Sequence, residues 1–334
     1  MLGLSIRGRT ESTQKWISRF PLAHPRANFL QTKGYPLPAS RSRTQEWRRS
    51  LRQIHERGGA IEFTIAQPEN EKENDPASHA AGADLVWRVK IIELDDKEIV
   101  VESPMALGRD IQVNADMELV GAIAIGQNRW TFRTTNTGPY TEGRYKDHPG
   151  LRLKMPTRVD RSQRRRIRVD TQAINLPKVE IWPLLDPKTV IPIERANELA
   201  FESVQKGEPF ESGSGDESVM PTVGPKFSAT LANLGGGGVG LMVEPDDSGP
   251  LGRHRVFWFR LDLSPELPVP AVASGKVVHT HIDSSQRTYV GVAFDFSFNP
   301  GHQDILASQI AYYIERRQEL QRQANEQRDE GRID

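Results

Sequence analysis

The sequence predicts a mainly β protein, with two small β-barrel domains in tandem and a C-terminal helix. Three observations carry this: two series of short strands rich in Val, Ile, Phe and Trp, a proline- and arginine-bearing stretch between them, and an apolar stripe at helical spacing near the end. Residues 1–43 form a basic tail, with Arg7, Arg9, Lys15, Arg19, Arg26, Lys33, Arg41 and Arg43 set against Glu11 alone. Its prolines, serines and weak periodicity predict disorder, with a transit peptide as a lesser alternative. The next domain spans 44–155. A helix is expected from Thr44 to Arg57, with Thr44 as N-cap, Trp47, Leu51 and Ile54 on one face and Gly58 as the stop. The strands "AIEFTIA", "DLVWRVKIIEL", "KEIVVESP", "MELVGAIAI" and "RWTFRTT" follow, parted by turn residues and by the polar loop "QPENEKENDPASHAAGAD".

The domain boundary is expected near Pro156, with an arginine-rich hinge over 156–169, where proline and dense charge both oppose continuous packing. A second domain at 170–325 carries "KVEIWPLL", "KFSATLANL", "VGLMVE", "RVFWFRLDL", "AVASGKVVHTHI" and "TYVGVAFDF". An insertion at about 186–226 interrupts it, with a helix in "IERANELAFESVQKG" ending at Gly207, on one edge of the barrel. The closing helix has Leu306, Ile310, Tyr313 and Ile314 at helical spacing and loses apolar residues beyond Leu320. It is expected to dock first and then trail into solvent, with 326–334 as a second disordered tail.

Composition narrows the function. Lys plus Arg equals Asp plus Glu at 44 each in 334 residues, so bulk attraction to nucleic acid or to an acidic membrane is not the expected driving force. The chain has no cysteine, which removes disulfides, thiol catalysis and cysteine-based zinc sites and fits a reducing cytosol. No apolar run approaches the roughly 18 to 20 residues that cross a bilayer, and no signal-peptide pattern opens the chain; a cytoplasmic protein, not integral to a membrane, is expected. Ser-His-Asp, paired-carboxylate and H-E-x-x-H signatures do not stand out, so nothing points to an enzyme. His279 and His281 share one side of a strand without a third ligand, which favours exposed residues over a metal pair.

Two stretches carry more information. "NLGGGGVGL" at 233–241 contains a formal G-x-G-x-x-G, but β-like residues and Pro245 follow it where a dinucleotide fold needs a helix, and no Gly-Lys-Ser/Thr closes it as a phosphate loop. A strand–turn–strand remains. Its glycines are expected at positive φ, either with backbone N–H groups facing an anion or a base edge, or simply for hairpin twist. The second stretch holds Arg161, Arg164, Arg165, Arg166 and Arg168. Such a run is often only a solvated face, yet guanidiniums suit phosphates and guanine edges, and Arg164 and Arg168 in an extended segment lie roughly 13 Å apart.

Arg164-x-x-x-Arg168 before Val169, and Asn233-Leu-Gly-Gly-Gly-Gly238 after a later strand, resemble the two motifs of the PilZ domain, R-x-x-x-R and Asp/Asn-x-Ser-x-x-Gly. The order of "VFWFRLDL", "ASGKVV", "YVGVAFDF" and "ILASQIAYYIERRQE" agrees with that family, and the preceding strands resemble the N-terminal domain of flagellar-brake (YcgR-like) proteins. The resemblance covers about 60–325 without the insertion. It implies a six-stranded PilZ barrel that binds cyclic di-GMP, with Arg164, Arg168 and neighbouring Arg165 reaching from the hinge, and Asn233, Gly235 and Gly238 meeting a guanine. It further implies a change in domain arrangement on binding, with the flagellar motor or another protein as partner; no nucleic acid is expected from the balanced charge, although binding one through the basic tail and linker is a further reading. Gly235 stands where the motif has serine. That departure leaves open a second reading, a degenerate PilZ interaction module that binds no nucleotide.

Overall fold

A computed structural model describes residues 46–67, 83–125, 128–163, 174–208, 220–283 and 285–330. The chain opens with α1 (Trp47–Glu56), whose buried face is Trp47 and Leu51 and which stops where Gly58 turns to φ +64°. The strands β1 (Ala60–Ile65), β2 (Trp87–Leu94), β3 (Glu98–Val101), β4 (Met105–Ala106), β5 (Arg109–Asp110), β6 (Glu118–Ile125), β7 (Asn128–Tyr140), β8 (Gly150–Lys154) and β9 (Asp160–Gln163) come next. Six of them close into a barrel in the order β1-β6-β7-β8-β3-β2, because β2 also pairs with β1. Alternating inward residues such as Ile61, Phe63, Val89 and Ile91 fill it. Each such burial contributes about 1.5–3 kcal/mol against the entropy of ordering the chain. The β4–β5 hairpin stands apart from this ring, its two-residue turn made by Leu107 and Gly108 at φ +55° and +83°.

The second half contains β10 (Lys178–Asp186), α2 (Ile191–Gln205), β11 (Thr222–Val223), β12 (Phe227–Leu234), β13 (Gly238–Val243), β14 (Val256–Leu263), β15 (Leu267–Ile282), β16 (Thr288–Phe294) and α3 (His302–Glu330). β10-β12-β13-β16-β15-β14 again form a closed six-stranded ring, because β10 pairs with both β12 and β14. The fold is two barrels in tandem with a long final helix.

Several expectations are modified. The stretch expected as a hinge from 156 begins with an ordered strand, since β9 pairs with β7 from Asp160↔Thr131 to Gln163↔Asn128. The insertion supplies α2, which ends as expected at Gly207 (φ +75°) and lies against β15 and α3; Phe201 meets Tyr312 edge-on at 5.8 Å. The expected N-cap Thr44 lies outside the described residues.

The final helix also differs. It continues through Glu330, and beyond its apolar stripe Arg317, Gln318 and Gln321 are buried against the N-terminal barrel. Gln318 accepts from the Asn114 N–H (2.8 Å) and donates to the Gln112 carbonyl (3.0 Å). Gln321 accepts from the Glu118 N–H (2.8 Å) and donates to the carbonyls of Ala66 and Glu118, both at 2.9 Å. A side-chain amide both donates and accepts, so these glutamines pair backbone groups at the barrel's strand ends as a neighbouring strand would. Arg317 sits between Asp84 (2.8 Å) and Glu266 (3.0 Å), all three nearly inaccessible. Burial pushes the Asp84 carboxyl above the usual carboxylate range in spite of the adjacent Arg317 guanidinium. The two barrels are thus joined by a helix whose polar residues do the joining.

Candidate functional site

β12 approaches its turn through a bulge between Leu231 and Asn233, which turns the Asn233 side chain to the outer surface while Leu231 and Leu234 remain in the core. The turn is closed by Gly235 N–H donating to the Gly238 carbonyl (2.9 Å), and β16 joins it through Phe294 N–H to the Gly237 carbonyl (3.0 Å). None of Gly235, Gly236, Gly237, Gly238 or Gly240 has φ in the left-handed region, which overturns the expectation of positive φ. The glycines divide by space instead. A Cβ on Gly238 would lie 2.0 Å from the Val292 carbonyl oxygen, and one on Gly240 would lie 2.2 Å from the Tyr289 hydroxyl and 2.7 Å from Asn233 Oδ1. Gly235, Gly236 and Gly237 have no neighbour closer than 3.7 Å to such an atom. Close packing of β13 on β16 demands the last two glycines, whereas the first three leave a bare rim.

On the outer surface one row of paired residues crosses four strands, Asn233, Gly240, Gly291 and His279. The next row holds Met242, Tyr289 and His281. With Gly240 and Gly291 carrying no side chain, the Tyr289 phenol lies over the first and the His279 ring over the second, 2.1 Å from the Cβ position. Tyr289 stacks on His279 (5.9 Å, 29°) and lies 5.0 Å from His281. The two histidines therefore serve as ring neighbours of a tyrosine, and among the described residues no group of three His, Cys, Asp or Glu could hold a metal ion.

Asn233 is 9% exposed, and its amide has no hydrogen-bond partner among the described residues yet keeps contact with solvent. A nearly buried amide in that state is a place where water or a ligand makes up the missing bonds. Arg164, Arg165 and Arg168 lie outside the described residues. The anchor that follows them is described. The Asn175 carbonyl accepts from the Asp84 N–H (2.6 Å), and the Asn175 N–H donates to Asp84 Oδ2 (2.7 Å). Two residues on, the Val86 carbonyl accepts from Leu234 N–H (2.7 Å) at the base of the glycine turn. The N-terminal barrel also touches the rim directly, Gly108 N–H donating to the Gly236 carbonyl at 2.8 Å.

No known protein-family profile matches the sequence, and none of the curated proteins does. Solved structures do. The chain resembles MotI/DgrA, the inhibitor of motility of Bacillus subtilis, at 15% identity over 76% of this chain and 95% of that one, with a TM-score of 0.26. It resembles MrkH of K. pneumonia in its c-di-GMP complex at 12% identity, 80% and 94% coverage and a TM-score of 0.27. It resembles YcgR of Escherichia coli in complex with c-di-GMP at 12% identity, 84% and 92% coverage and a TM-score of 0.25. At these scores the likeness bears no weight by itself, and the architecture rests on the strand pairing described above. Among the described residues no helix is long and apolar enough to cross a membrane.

Proposed function

We propose that this chain is a receptor, not an enzyme, for cyclic di-GMP, which rests on the rim at Asn233, Gly235 and Gly238 and is gripped by Arg164 and Arg168, with Arg165 beside them. The observation that carries the reading is the anchor at Asn175. It fixes the chain beside Asp84, two residues from Val86, whose carbonyl accepts from the Leu234 N–H. Arg168 precedes that anchor by seven residues, a span that reaches at most about 25 Å when extended, so the guanidinium can arrive at the rim. Fixed backbone for a flat base and two guanidiniums for phosphates suit a cyclic dinucleotide chemically. Binding would draw the arginine segment onto the rim and change how the N-terminal barrel meets it, altering the surface offered to a protein partner such as a flagellar motor component.

Titration calorimetry of the whole chain with cyclic di-GMP tests this. Binding at micromolar or tighter Kd is expected, and Arg164→Ala or Arg168→Ala should each cost roughly 1.5–3 kcal/mol, about 10- to 150-fold. A folded protein that gives no heat at high ligand concentration would sink the reading. Gly235 favours the second reading, an interaction module without a nucleotide site; binding that arises from nothing in Gly235→Ser would select it.

A further inference from the structure

We infer that Tyr289 supplies, from β16, the hydroxyl that Gly235 does not, and that its phenol is a ligand-contacting group of the rim. The inference rests on the cyclic di-GMP reading above and concerns how this chain carries it out despite Gly235. The Tyr289 hydroxyl and Asn233 Oδ1 converge on one point, 2.2 and 2.7 Å from where a Cβ on Gly240 would lie. Neither group has a hydrogen-bond partner among the described residues. A hydroxyl that served only to fill space over a glycine would have no need of its oxygen; a phenylalanine ring fills the same space. An unengaged hydroxyl beside an unengaged amide forms a donor–acceptor pair open to one base edge.

The ring is also held in place. His279 and His281 contact it at 5.9 and 5.0 Å, and Gly291 leaves room for the His279 ring. A phenol packed this way loses little freedom when a ligand arrives, which favours binding. At Gly235 itself nothing blocks a side chain, the nearest atom to a Cβ being the Gly238 carbonyl oxygen at 3.7 Å, so a serine there fits.

Calorimetry with cyclic di-GMP on the full-length wild type, Tyr289→Phe, Gly235→Ser and the double variant, each with a melting curve, decides the matter. Loss of one neutral hydrogen bond predicts about a 3- to 10-fold rise in Kd for Tyr289→Phe with unchanged melting. The double variant should return to within about twofold of the wild type, because a hydroxyl on another strand restores a contact but would not repair a displaced ring. A wild type that binds and a Tyr289→Phe that binds equally well would overturn the role of Tyr289 alone. A double variant as weak as Tyr289→Phe would overturn the exchange of hydroxyls. A wild type that does not bind would overturn the receptor reading and this inference with it.

Discussion

Replacing Arg317 by alanine should destabilise the folded chain by about 3–5 kcal/mol at pH 7, the usual cost of stranding a buried charge. The structure places the effect in that range for three reasons. Arg317, Asp84 and Glu266 have side chains only 5%, 3% and 4% exposed, so water does not replace the lost cation. Glu266 Oε2 has no hydrogen-bond partner even with the arginine present. Asp84 already sits above the ordinary carboxylate range, because burial outweighs the arginine's attraction. A carboxyl with a raised folded pKa favours the protonated native state, so without Arg317 the penalty should be largest at pH 8 and shrink as the pH falls toward 5. Urea unfolding followed by both tryptophan fluorescence and far-UV circular dichroism is the assay, since loss of the joining helix should also separate the two transitions. A loss below about 1 kcal/mol, or one equal at pH 5 and pH 8, would refute the reasoning.

Glu194 in α2 is buried with one carboxylate oxygen unpartnered, and burial, opposed only by a hydrogen bond with Asn299, pushes its pKa up to about 7. Stability should therefore fall as pH rises through about 7, and the drop in urea midpoint from pH 6.5 to pH 8.5 should be smaller in Glu194→Gln than in the wild type. His302, held below its ordinary value by burial, is uncharged when folded but titrates when unfolded and so adds an opposing slope near pH 6.5, while His148, raised by its hydrogen bond with Asp110, adds to the slope of Glu194. Gly238→Ala should lower stability by about 1–3 kcal/mol, because its Cβ meets backbone 2.0 Å away, while Gly235→Ala should stay within about 0.5 kcal/mol. Thermal melts of the two variants side by side provide the check.

What the sequence disclosed follows physical range. Strands such as "VFWFRLDL" and "TYVGVAFDF" were legible because richness in Val, Phe and Trp is a local property, and α2 was legible from its periodicity and Gly207. β4 and β5, two residues each, are too short for any period. The second half of α3 misled for a different reason: its contact face is built of Gln318, Gln321 and Arg317, residues that read as a solvated surface. Their burial depends on strand ends some 200 residues earlier, which no window along the chain contains. The glycine row was conspicuous, but the need for Gly238 and Gly240 comes from Val292 and Tyr289 across the sheet, not from the turn. Asn233 was found through a motif; its neighbour Tyr289 was missed, because its place opposite His281 and over Gly240 exists only in the folded sheet.

The strengths of these contacts also constrain how a ligand at the rim would be felt elsewhere. A ligand present at 100 times its Kd stabilises the state it binds by about 2.7 kcal/mol. Freeing α3 from the N-terminal barrel would break the Arg317 cluster, at about 3–5 kcal/mol, and the five hydrogen bonds of Gln318 and Gln321, at about 1 kcal/mol each. That exceeds what such a ligand can supply. The seam at the β4–β5 hairpin is weaker. It consists of Gly108 N–H on the Gly236 carbonyl, Gln303 on the Leu107 carbonyl, and an exposed Arg109–Asp304 pair whose contribution is at most about 1 kcal/mol. A receptor of this construction would therefore respond by shifting the hairpin that touches its glycine rim, while the helix that joins the barrels stays in place.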